Sequence, residues 1–86
     1  MKKLIKSDKD LGLVSLLGQN VILLCVNYFY TGKLLGVNDD CVLLSEPSIV
    51  YETGDWKNKS WADAQRLHID ELFVRISAIE SYGAGK

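Results

Sequence analysis

A chain of 86 residues with 48% hydrophobic content is long enough for one compact core and too short for two. Its 10 Lys+Arg against 11 Asp+Glu leave a formal net charge of −1, which is not the footprint of a strongly basic nucleic-acid binder. The longest unbroken apolar run, Val21 to Val26, falls far short of the roughly 20 residues of a membrane-spanning helix.

The start, Met1-Lys2-Lys3-Leu4-Ile5-Lys6, reads as a basic arm, and Ser7, Asp8, Lys9 and Asp10 interrupt it before an export signal can form. A cytoplasmic address is therefore expected. Ser7 to Leu17 reads as one helix, with Leu13, Leu16 and Leu17 at three-and-four spacing, Ser7 or Asp8 as N-cap and Gly18 as stop.

From Asn20 to Tyr30 a strand carries apolar groups on both faces, Val21, Leu23 and Cys25 on one and Ile22, Leu24 and Val26 on the other, so both sides need cover. Asn27 opens a hairpin region that passes through Tyr28, Phe29 and Tyr30 to Thr31-Gly32, and Lys33 to Val37 runs back as a second strand. Gly32 and Gly36 sit where a tightly coiled sheet would bend. Asn38-Asp39-Asp40 is a polar turn, Cys41 to Ser45 a third strand, and Pro47 a bulge or break before Ile49-Val50-Tyr51.

Residues 54–70 read as a long polar loop, with a short helical turn over Ala62 to Leu67. Trp56 and Trp61 within it could stack on bases or fold back onto apolar surface. Beyond Glu71, Leu72, Val74 and Ile76 alternate with Phe73, Arg75 and Ser77 as in a half-buried strand. The phase fails at Ile79, which demands a bend near Ser77-Ala78 before a last strand to Tyr82; 83–86 reads as a tail.

No nucleophile–base pair, no clustered metal ligands and no phosphate loop stand out, so no catalytic residues, metal or cofactor are assigned and the chain is read as a non-enzyme. His68 with scattered carboxylates makes a poor metal site. Cys25 and Cys41 lack CxxC spacing and read as free thiols, with a cross-strand disulfide as the alternative.

One helix and five short strands with glycine bends imply a mainly β, single-domain fold: an N-terminal helix followed by a small, strongly bent, five-stranded antiparallel open barrel. Such a barrel leaves strand edges unpaired, and the apolar Leu72, Phe73, Val74, Ile79 and Tyr82 are the candidate interface through which copies would pair into a homo-oligomeric ring.

Several segments agree with one family. Gly18-Gln19-Asn20-Val21, Gly32-Lys33-Leu34-Leu35-Gly36, Val42-Leu43-Leu44, Leu72-Phe73-Val74-Arg75 and Ala78-Ile79-Glu80-Ser81-Tyr82 follow one another in the order of the two Sm motifs. From Leu11 to Tyr82 the chain resembles the Sm, Sm-like (LSm) and Hfq superfamily, most of all its divergent bacterial or phage members. The resemblance implies a ring of about five to seven copies, closed by head-to-tail contacts. That ring would hold single-stranded RNA, uridine-rich in many relatives, without catalysis, as a chaperone or assembly platform. A ring scaffold for proteins is the alternative.

The family motifs place candidate RNA contacts at Asn38, Asp40 and Arg75. The motif usually has Asp at the position of Asn38, a base-stacking side chain at Asp40, Asn at Val42 in eukaryotic and archaeal members, and Gly at Ile76. Arg75 matches the family arginine, either facing RNA or forming an inter-subunit salt bridge. Lys2, Lys3, Lys6 and Lys9, and the group Lys57, Lys59 and Arg66, are further cations that could reach RNA or simply solvate the surface.

Overall fold

The computed structural model describes residues 12–57 and 59–85. The basic arm with its lysines, the proposed N-cap and the first half of the expected helix lie outside these residues. The described half of that helix is a single 3-10 turn, Leu13–Leu16. Gly12 precedes it at φ 96°, a conformation that no right-handed helix can pass through, and Leu17 is already extended at ψ 133°. Over the described residues the expected N-terminal helix is thus corrected to one turn, because the backbone is non-helical at Gly12 and extended again at Leu17 although Leu13, Leu16 and Leu17 keep helical spacing.

Six strands follow: β1 (Asn20–Cys25), β2 (Phe29–Val37), β3 (Cys41–Glu52), β4 (Asp63–Arg66), β5 (Glu71–Arg75) and β6 (Ile79–Ala84). They make one antiparallel sheet in the order β4-β3-β2-β1-β6, with β5 also paired to β3. The long β3 therefore carries β5 along its first half, Cys41–Ser45, and β4 along its second, Ser48–Glu52.

This sheet is open, and it is not the small, strongly bent barrel expected. No ladder joins β6 to β4 or β5, so β6 ends one side and β4 and β5 the other. At Gly32 a Cβ would lie 3.0 Å from the Ser45 carbonyl oxygen and 3.3 Å from the Leu44 Cβ, so β2 and β3 approach closely there. At Gly36 the nearest atom, the Leu43 Cβ, is at an ordinary 3.8 Å, and the β2–β3 register shifts there, between Leu34 and Gly36. β3 kinks where Glu46 takes φ 51° before Pro47, opposite a further shift of the β2–β3 register between Thr31 and Lys33.

Several boundaries also move. The first turn comes at 26–28, so Thr31 and Gly32 lie inside β2 rather than at a hairpin tip. The loop over 54–70 contains β4 in place of a helical turn. All four β4 side chains are exposed, and main-chain pairing to β3 defines the strand, so no apolar alternation marks it. The bend after β5 is a 3-10 turn, Ile76–Ala78, and β6 continues to Ala84, opposite Val21, with the Gly85 N–H donating to the Asn20 carbonyl at 2.8 Å.

The core lies on one face of this sheet. Val21, Leu23 and Cys25 of β1, Leu34 of β2, Val42 and Leu44 of β3, and Val74 of β5 form it, and Leu13 and Leu16 of the first turn pack against it. Ile22 and Leu24, on the other face of β1, are only half-buried, and Val26 is exposed, so the double cover expected for this strand is incomplete.

Candidate nucleic-acid interface

Two contacts build the site around the start of β3. Asn38 forms the turn: its carboxamide oxygen accepts the N–H groups of Asp40 and Cys41, both at 2.8 Å, and its own N–H donates to the Cys41 carbonyl at 3.0 Å. Asparagine suits this role because its short side chain mimics a backbone acceptor. Asn38 therefore shapes the loop on which Asp39 and Asp40 stand. From the other side, the Ile76 N–H donates to the Asp40 carbonyl at 2.9 Å, and Arg75 lies opposite Cys41 in the β3–β5 ladder.

Strand alternation then sorts β5. Val74 points into the core and Leu72 is half-buried, while Phe73 and Arg75 share the exposed face, Phe73 with 66% of its surface accessible. These two side chains line a hollow of about 720 Å³ together with Asp39, Asp40, Cys41, Ile76 and Ser77. Phe73 and Arg75 also border a second hollow of about 280 Å³, whose far wall holds Cys25, Asn27, Tyr28 and Tyr30. Tyr28 and Tyr30 meet edge to face there, with ring centroids 6.2 Å apart. β5 thus forms a ridge, one aromatic and one guanidinium, between an acidic hollow and an aromatic one.

The sequence-derived residues are brought together unevenly. Asp40 and Arg75 share the larger hollow, whereas the Asn38 oxygen is engaged within its own turn. Of the apolar interface residues, Val74 is buried, Leu72 and Ile79 are half-buried against the core, and Phe73 and Tyr82 are exposed. Phe73 was assigned only to a subunit contact. Its place beside Arg75, two residues apart on a strand whose other face is apolar, was legible from the alternation alone.

Other candidates disperse. Trp56 is exposed and Trp61 half-buried, in the segment between β3 and β4. Cys25 and Cys41 are unbridged, and burial, with Glu80 nearby, pushes the Cys25 thiol above its ordinary range. Burial likewise raises the Tyr30 phenol, with smaller contributions from Cys25 and Tyr28. Among the described residues no group of three or more His, Cys, Asp or Glu could hold a metal ion, and no helix is long and apolar enough to cross a membrane.

Comparison with family models, curated proteins and solved structures finds no match to this chain.

Proposed function

We propose that this protein is a non-catalytic, self-associating RNA-binding protein of the Sm-like kind, which holds single-stranded RNA against the outer face of β5. The observation that carries the reading is the pairing of an exposed ring, Phe73, with a cation, Arg75, on one ridge above acceptors at Asp39 and Asp40. A flat ring stacks a base, a guanidinium stacks or meets a phosphate, and carboxylates accept hydrogen bonds from base amino groups. Local chemistry of this kind does not require a basic net charge.

Self-association rests on the edges. Among the described residues β5 pairs only with β3 and β6 only with β1, which leaves each a row of main-chain donors and acceptors facing outward. Joining β5 of one copy to β6 of the next satisfies both rows, and repetition of that contact gives a closed assembly. The free thiols suit a reducing, cytoplasmic setting.

Titration of fluorescent oligouridine at two salt concentrations, with the mass of the protein followed by light scattering, tests both parts. An RNA binder gives saturable binding that weakens with salt, and a self-associating one gives a mass above that of the 9.6 kDa chain. One observation favours a second reading, a protein scaffold: Asp39 and Asp40 repel phosphate from the larger hollow. An assembled particle with no saturable RNA signal selects that reading.

A further inference from the structure

The kink in β3 builds a second polar site on the outward face of the sheet. The cross-strand registers align Asn20, Lys33 and Ser45 in one row and Thr31, Ser48 and Arg66 in the next. Between the rows lies a hollow of about 300 Å³, with Gly32 contributing no side chain to it. Glu46 stands at its rim, held at φ 51° and anchored by its N–H, which donates to the Asp70 carbonyl at 3.0 Å. A non-glycine residue in this left-handed conformation is costly, and Glu46 is the only one among the described residues.

The geometry points to this hollow as a phosphate-binding site, with the Lys33 ammonium and the Arg66 guanidinium as its cations and the Ser45 and Ser48 hydroxyls as neutral donors. Two cations face one carboxylate, so the hollow carries a local positive charge in a chain of net charge −1. Among the described residues Lys33 has no ion-pair partner. Arg66 meets only Glu46, at 4.0 Å, and both side chains are more than half exposed, 51% and 73%, so the pair is loose enough for a doubly charged anion to displace the carboxylate. The guanidinium fork then meets two phosphate oxygens, the ammonium a third, and the serine hydroxyls complete the set.

This site does not depend on the reading of β5. Four residues along β3 separate Ser45 from Cys41, the partner of Arg75, so the two sites lie ~13 Å apart at ~3.3 Å per residue. The phosphate could belong to a free phosphorylated molecule or to the backbone of RNA.

Amide NMR of the full chain distinguishes these sources, with inorganic phosphate and oligouridine as separate probes. The proposal expects saturable shifts at Gly32, Lys33, Ser45 and Ser48. Shifts with phosphate alone indicate a free anion, and shifts with oligouridine, alone or in addition, indicate the RNA backbone. Lys33→Gln and Arg66→Gln, both exposed and outside the core, are expected to weaken the affinity about tenfold each, and Glu46→Gln to strengthen it about threefold. No saturable shift at these amides with either probe, or an affinity unchanged in both Lys33→Gln and Arg66→Gln, overturns the site. Loss of oligouridine binding in Arg75→Ala, with the phosphate response intact, separates failure of this site from failure of the β5 reading.

Discussion

Ile76 donates its main-chain N–H to the Asp40 carbonyl across 2.9 Å, which ties the end of β5 to the acidic turn before β3. This contact fixes where Arg75 stands, one residue earlier, relative to Asp40. It uses no side chain, so substitutions that test the chemistry of Arg75 leave the tie in place.

The turn itself is testable at Asn38. Asn38→Ala removes the acceptor of two 2.8 Å hydrogen bonds in an exposed loop and is expected to cost about 1 kcal/mol. Asn38→Asp keeps the acceptor and should stay close to the parent in urea denaturation. Equal losses in the two variants would show that the side-chain oxygen does not hold the turn.

Close approach of β2 and β3 makes Gly32 sensitive and Gly36 tolerant. A methyl at Gly32 meets backbone and core within 3.0–3.4 Å, so Gly32→Ala should lower stability by about 1–3 kcal/mol. Gly36→Ala brings a methyl only into ordinary contact with the Leu43 Cβ, at 3.8 Å, and should change it by less than about 1 kcal/mol. Thermal melts in the reverse order would contradict the register of β2 on β3.

How far the sequence discloses the fold follows from where side chains carry the signal. Val21, Leu23, Val42, Leu44 and Val74 alternate with outward residues, and the strands they define were legible. β4 was not, because Asp63, Ala64, Gln65 and Arg66 are all exposed and pair with β3 through the main chain, and a polar edge strand looks like a loop. The helix fails for a different reason: Leu13, Leu16 and Leu17 keep helical spacing, but the backbone is non-helical at Gly12 and extended at Leu17, which leaves one turn between them. The barrel expectation fails at closure: glycine spacing carries no signal for it, and among the described residues no ladder joins β6 to β4 or β5. Of the site, the resemblance to the Sm motifs points to Asp40 and Arg75, and strand alternation puts Phe73 on the face of Arg75, whereas Lys33 beside Arg66 needs the pairing partners of β3. Arg66 belongs to β4, the strand that the sequence hides.

Core packing predicts a large effect at Leu23, which is fully buried in β1. Leu23→Ala should cost about 2–5 kcal/mol, read as a lowered urea midpoint. A loss below about 1 kcal/mol would place this side chain outside the core.

Alkaline stability should depend on Cys25. Its thiol titrates above the ordinary range because it is buried, so folding favours the neutral form. The stabilisation is complete below the pKa of the unfolded thiol and is lost as pH rises through that of the folded one. Cys25→Ala should flatten the fall in stability above about pH 9 while lowering stability at neutral pH. An unchanged alkaline slope would show that the thiol does not report its burial.

The most direct measurement is fluorescence anisotropy of labelled oligouridine against the parent protein and Arg75→Ala at matched salt. The account predicts saturable binding by the parent and about tenfold weaker binding by Arg75→Ala, the loss of one charge-assisted contact. Equal affinity in the two proteins, or no saturable binding by the parent, would contradict the assignment of the β5 ridge to RNA.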